Sequence, residues 1–122
     1  MPVLVSGGLQ TAEQAQTAFE RTGAAAVLLA RGSLGNPWLF RQLLGGRDCD
    51  PDNDEILDEL DWVIDRAVEH LGEERAGRYL RKFYPWYVER LGIQGASGRE
   101  LLAQLQRVSN TDEARATLAR SR

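Results

Sequence analysis

The chain has 122 residues, with 15 basic and 18 acidic side chains and 43% apolar residues, which fits an ordinary soluble chain and excludes a large multidomain assembly. One cysteine and one histidine exclude an internal disulfide and a structural zinc centre, so packing alone must hold the fold. No apolar run approaches the roughly 20 residues that cross a bilayer, and no signal-like core opens the chain, so the expectation is cytoplasmic with no membrane partner.

In chain order, Val3-Leu4-Val5 reads as a short strand closed by Ser6-Gly7-Gly8, and Ala24 to Ala30 as a second, closed by Arg31-Gly32-Ser33. Continuous apolar strands suit a parallel sheet covered on both faces. Between them, Thr11-Ala12-Glu13-Gln14 has capping-box spacing, and Ala15, Ala18 and Phe19 form a helical stripe that Thr22-Gly23 ends. The result is a βαβ unit. Alone it leaves a sheet face and both edges open, and Met1 stands directly before strand residues, which reads as a fragment, a split gene product or a misplaced start. Next, Asn36 is the expected N-cap of a helix with Pro37 at its first position and Trp38, Leu39, Leu43 and Leu44 along it, stopped by Gly45-Gly46.

Residues 47 to 53 lack apolar periodicity and read as a linker, which places a domain boundary there. Beyond it the chain reads as helical. Ile56, Leu57, Leu60, Val63, Ile64, Ala67, Val68 and Leu71 recur at spacings of three and four and end at Gly72. A second helix carries Ala76, Tyr79, Leu80 and Phe83 until Pro85 kinks or splits it before Trp86-Tyr87-Val88. Ser97-Gly98-Arg99-Glu100 has capping-box spacing before Leu101, Leu102, Leu105 and Val108, and a last helix starts after Asn110 or Thr111. Four such helices make a small bundle.

The net charge of −3 conceals segregation. Residues 1 to 47 carry four arginines against two glutamates; residues 48 to 74 carry twelve acids against Arg66 alone; residues 75 to 122 carry ten basic side chains against four acids. The basic block suits a polyanion, and the alternative is that neighbouring helices pair their opposite charges. Arg75, Arg78, Arg81, Lys82 and Arg90 are interleaved with Tyr79, Phe83, Trp86 and Tyr87. On a regular helix Arg78, Arg81 and Lys82 share a face able to track phosphates, whereas Tyr79, Phe83 and Trp86 are expected mainly in the core. The acidic stripe from Asp54 to Glu69 should face away from such a partner.

The two strands end in glycine-containing turns, where parallel α/β folds place ligands. Ser6-Gly7-Gly8 lets backbone amides approach an anion, and Arg31 offers a fixed cation, provided the turns are adjacent; a plain turn and a surface arginine are the other reading. Cys49 lies in an aspartate-rich stretch that disfavours thiolate, so no catalytic role is assigned to it. His70, near a helix C-terminus, reads as solvated or paired with the helix dipole.

Val3 to Leu9, the helix from Thr11, the strand ending at Ala30 and above all the run Ala30-Arg31-Gly32-Ser33-Leu34-Gly35-Asn36-Pro37-Trp38-Leu39-Phe40-Arg41 resemble the end of the barrel in the tRNA-dihydrouridine synthase family. The stretch Tyr79-Leu80-Arg81-Lys82-Phe83 with Trp86-Tyr87-Val88 is similar to that family's following helical domain. The resemblance implies the last βαβ segment of a (β/α)8 barrel at 1–46, a linker at 47–53 and a helical tRNA-binding domain at 54–122. It implies FMN, its phosphate held by Ser6, Gly7, Gly8, Ala30 and Arg31, NADPH as reductant of the full-length enzyme, and tRNA bound through Arg78, Arg81 and Lys82. Three positions depart from the family pattern: Ser6 stands where asparagine is usual, Ala30 where glycine is, and Phe83 where many members have histidine. Backbone donation survives the first two changes.

The family's proton-donating cysteine lies in an Asn-x-Gly-Cys-Pro motif that this sequence lacks, so no catalytic residue is assigned and the isolated chain is expected to be inactive. It would need the preceding barrel segment or a complementing chain. The alternatives are a non-catalytic RNA-binding or partner module, such as a split subunit, and part of another FMN-binding barrel oxidoreductase.

Overall fold

A computed structural model describes residues 1–93 and 95–122. These form two compact units, Met1–Asp50 and Pro51–Arg122. Among the described residues no helix is long and apolar enough to cross a membrane.

In the first unit, β1 (Leu4–Ser6) and β2 (Ala26–Leu28) pair in parallel, with Leu4 opposite Ala26, Val5 opposite Val27 and Ser6 opposite Leu28. β1 is shifted one residue along from its apolar run, and β2 is shorter than the run Ala24 to Ala30. Pairing ends where Gly7 and Gly8 take positive φ values of 115° and 64°, and β2 extends only as far as its partner. The connecting helix α1 (Ala12–Thr22) is set by the expected capping box: the Gln14 amide donates to Thr11 Oγ1 at 3.1 Å, and the Thr11 amide donates to Gln14 Oε1 at 3.3 Å. Gly23, at φ 61°, closes its C-terminus. Ala15, Leu29 and Leu39 form a small core, flanked by Leu9, Ala12, Val27 and Leu43. Leu4, Phe19, Leu28, Phe40 and Leu44 stay exposed, so the described residues of this unit do not by themselves cover both sheet faces as expected for apolar parallel strands.

A 3-10 turn (Arg31–Ser33) follows β2 and leads to α2 (Trp38–Leu43). Here the structure corrects the sequence reading. Pro37 is the residue before the helix and no side chain caps it; Asn36 is buried instead, its carbonyl accepting from the Leu39 amide at 3.3 Å. The tight 3-10 turn and Gly35, at φ 62°, draw Asn36 inward, away from a capping position. Residues 47–50 fold back onto α2: Gln42 Nε2 donates to the Cys49 carbonyl and to Asp50 Oδ1, both at 3.1 Å, and Arg47 Nε donates to the Cys49 carbonyl at 2.7 Å.

The second unit opens with α3 (Asn53–Leu71), capped by Asp52 in a box with Glu55 that sequence reading placed inside the linker. Ile56, Leu57, Leu60 and Ile64 carry its buried stripe, while Val63, Ala67 and Val68 are half-buried. The next helical stretch is split as Pro85 requires, into α4 (Glu73–Leu80) and α5 (Tyr84–Arg90), with Pro85 in the first turn of α5 where its missing amide is harmless. Helix α6 (Gly95–Arg107) begins before Ser97, so the supposed Ser97 cap lies within the first turn. Gly98 explains the tight entry: a Cβ there would stand 2.3 Å from the Ile93 carbonyl oxygen. Helix α7 (Thr111–Ala119) is capped by Asn110, whose side chain accepts from the Glu113 amide at 2.9 Å.

The core of this unit is filled by Leu60, Ile64, Leu80, Tyr84, Tyr87 and Leu105. Burial pushes the Tyr84 and Tyr87 hydroxyls up to about 12, so both remain neutral in the physiological range. Helices α4 and α7 are joined by Glu73, whose carboxylate accepts from the Thr111 amide at 2.6 Å and from its hydroxyl at 2.9 Å. The backbone bond first and the hydroxyl bond second hold the Glu73 carboxyl below the ordinary glutamate range. Because the folded-state value is depressed, this contribution to stability is present above the unfolded value of about 4.3 and lost as pH falls through the folded one. Glu73→Ala, which strands the buried donors of Thr111, is expected to cost about 1–3 kcal/mol. It should also flatten the acid limb of stability below about pH 4.5, as followed by urea unfolding across pH.

Candidate functional site

Parallel pairing in this register brings the C-terminal ends of β1 and β2 side by side, because Ser6 and Leu28 are the last partnered residues. The two following turns then touch through their backbones. A Cβ on Gly32 would lie 1.8 Å from the Leu9 carbonyl oxygen and 3.2 Å from Gln10 Cα, so only glycine permits the approach. Ser6, Gly7, Gly8, Ala30 and Arg31 are all exposed. A Cβ on Gly7 or Gly8 would meet nothing within 4 Å, so no neighbouring atom crowds that turn on its Cβ side. Ala30 precedes the 3-10 turn, and its carbonyl accepts from Ser33 Oγ at 2.9 Å. No carboxylate among the described residues pairs with Arg31. Backbone amides at a positive-φ turn, and an arginine on the adjoining turn, are groups suited to a phosphate monoester. Asn36 adds a buried Oδ1 with no hydrogen-bond partner among the described residues.

The basic cluster of the second unit is distributed differently from its sequence expectation. Helix α4 ends at Leu80, so Arg78 lies on the helix while Arg81 and Lys82 lie on the turn after it. The single helical face expected for the three is therefore interrupted, because the chain must turn before Pro85. Arg78 pairs with Glu74 at 3.5 Å, both side chains largely in solvent. Arg81 Nη2 donates to the Val108 carbonyl at 3.2 Å, and its own carbonyl accepts from Gln106 Nε2 at 2.9 Å, so Arg81 also ties this turn to the end of α6. Lys82 Nζ lies 5.9 Å from the centre of the Tyr79 ring.

The aromatic assignment is corrected as well. Tyr79 is exposed, its ring tilted at 48° against half-buried Phe83 with centroids 4.9 Å apart, and Trp86 is only half-buried; Tyr84 and Tyr87 are the buried rings. The split at residues 81–83 resets the helical phase, turning Tyr84 and Tyr87 inward. Exposed His70 lines a shallow groove of about 350 Å³ with Trp62, Val63, Arg66, Ala67, Leu71 and Tyr79. Cys49 is a free, exposed thiol whose carbonyl, not its sulfur, is engaged by Gln42 and Arg47.

The acidic stripe of α3 finds partners on α7. Arg115 pairs with Asp61 at 2.9 Å and with Asp65; Arg122 pairs with Asp54 at 3.3 Å and with Asp58. Ion pairing thus accounts for four of the acids, but it is made by Arg115 of α7 and by Arg122, the last residue of the chain beyond α7, not by the cations around α4.

A family model described as dihydrouridine synthase matches residues 1–121. The chain belongs to the dihydrouridine synthase family. It is 34% identical over 99 residues to tRNA-dihydrouridine synthase B of Pasteurella multocida, covering 77% of this chain and 29% of that protein. It is 33% identical over 121 residues to tRNA-dihydrouridine synthase B of Pseudomonas aeruginosa, covering 92% and 34%. It is 32% identical over 124 residues to a probable tRNA-dihydrouridine synthase of Rhodobacter capsulatus, covering 98% and 36%. The chain spans about a third of the length of these relatives.

Against this family background, two structural features escaped the sequence reading. Gly32 sits in the family-like Arg-Gly run, but its role depends on a backbone contact with Leu9 that no local spacing encodes. Trp62 interrupts the acidic face of α3 and is 57% exposed, a departure from the expectation that large aromatics are buried. Gly32→Ala should force the two turns apart and cost about 1–3 kcal/mol, the range of overpacking in a close contact. The check is thermal unfolding of the chain, with Gly7→Ala as a reference that meets a strained φ but no clash.

Proposed function

We propose that this chain forms the C-terminal portion of a flavin-dependent tRNA-dihydrouridine synthase, reducing uridine to dihydrouridine in tRNA. In this reading Met1–Gly46 is the last βαβ segment of a (β/α)8 barrel, residues 47–53 are the linker, and residues 54–122 are the tRNA-binding module. The observation that carries it is the pair of backbone-touching turns after β1 and β2, one holding Gly7-Gly8 and the other opening with exposed Arg31, in a chain matched by the family over residues 1–121.

The residues fit the phosphate end of FMN. Gly7 and Gly8 leave the approach clear, the amides of that turn donate, and the Arg31 guanidinium supplies charge. Ser6 and Ala30 contribute through their backbones, which accommodates their departure from the usual asparagine and glycine. FMN, once reduced by NADPH, supplies the hydride for the uracil ring. This chain's own part is to orient that cofactor by its phosphate and to hold the tRNA, through Arg78 and Lys82 directly and through Arg81, which also braces the turn. The exposed Leu4, Leu28 and Phe40 are the surface that the remaining barrel segments, in the same or a complementing chain, would cover.

Three measurements test this. The isolated chain with FMN, NADPH and unmodified tRNA is expected to give no dihydrouridine, and turnover by it would refute the assignment. Joined to the missing barrel segment, the enzyme should reduce uridine, and Arg31→Ala should then weaken FMN retention about tenfold or more, as read by flavin absorbance after dialysis. Separately, tRNA binding by the chain should fall with added salt, and Arg78→Ala should reduce the slope of log K against log salt by about one. A salt-independent affinity, or a slope untouched by Arg78→Ala, would count against the tRNA role.

A further inference from the structure

Where α3 and α4 meet, the second unit exposes two large aromatic rings that its packing does not require. Trp62 is 57% exposed and Tyr79 44% exposed, and both line the same shallow groove together with Val63, Ala67, His70 and Leu71. A folded unit gains by turning such rings inward, and this one has done so with Tyr84 and Tyr87. The exposed pair is also held in place. Phe83 braces the Tyr79 ring at 4.9 Å, and the Arg66 guanidinium lies 6.0 Å from the Trp62 ring centre while itself fixed by Glu69. Each ring therefore has a cation beside it, Arg66 at Trp62 and Lys82 at Tyr79.

An apolar floor, two fixed rings and a cation at each ring match a flat π-system that carries negative charge alongside it. An acidic peptide would use the cations but not the ring geometry, and an aliphatic one would leave the cations unused. A nucleotide uses both: its base stacks on the ring and its phosphate meets the neighbouring cation. The four aspartates that would repel it, Asp54, Asp58, Asp61 and Asp65, are engaged by Arg115 and Arg122.

We propose that the Trp62–Tyr79 groove is a stacking site for an unpaired nucleobase of the RNA partner, with Arg66 and Lys82 meeting the phosphates that flank it. This inference rests on the tRNA reading above, and the test separates the two. The 122-residue chain is titrated with unmodified tRNA and with a fully paired RNA duplex, following tryptophan emission and affinity from about 50 to 200 mM salt. Trp62→Ala and Tyr79→Ala should each weaken tRNA binding about tenfold without changing the salt slope, since stacking releases no counterions. Trp62→Phe should keep most of the affinity yet lose the emission change on binding, which identifies the ring in contact. It also retains packing if Trp62→Ala should unfold. The duplex, with no free base, should bind without that emission change.

If tRNA binding depends on Arg78 but is indifferent to both alanine variants, the groove proposal fails and the tRNA reading stands. If the wild-type chain does not bind tRNA at all, both fail. Equal quenching by duplex and tRNA would also overturn the stacking site.

Discussion

Four aspartates on one face of α3 set the constraint around which the second unit is arranged. Asp54, Asp58, Asp61 and Asp65 recur at spacings of four, three and four, so they stand in a row and repel one another. The row is tolerable because Arg115 bridges Asp61 and Asp65 while Arg122 bridges Asp54 and Asp58. The order of these pairs runs α7 antiparallel to α3. Each pair is partly exposed and individually contributes little, but together they favour one orientation, and the Glu73–Thr111 bonds fix the start of the same helix. With α7 meeting the acids, the cations near the end of α4 are left to other partners or to solvent.

The first unit depends on a contact of a different kind. Parallel pairing aligns the two strand ends, and the missing side chain of Gly32 lets its turn press against the Leu9 carbonyl. The turns that follow the two strands are thereby brought together through backbone, without any side chain having to fill the space between them.

Much of this was legible in the sequence. The capping box at Thr11, the stop at Gly23, the buried stripe of α3 and the Asn110 cap all rest on local spacing, and local spacing was enough. The errors share a cause. Asn36 looked like a cap because Pro37 follows it, but the preceding 3-10 turn carries it into the interior. Ser97 looked like a cap because Glu100 follows at the right interval, yet α6 begins at Gly95 because Gly98 must pack against Ile93. Tyr79 looked buried and is not, because the break before Pro85 rotates the following rings into the core in its place. In each case the path of the chain through an adjacent turn or break overrode the spacing signal.

The sequence by itself determined the order of elements, the glycine turns after the strands and the family to which the run Arg31 to Phe40 points, since these depend on residues near one another in the chain. Only the tertiary structure decided that the two turns touch through Gly32 and Leu9, that α7 rather than α4 answers the acids of α3, and that Trp62 and Tyr79 share an open groove. Those facts depend on which segments approach across tens of residues, and no local period carries that information. Charge segregation announced that opposite charges had to be reconciled; packing chose the pairs.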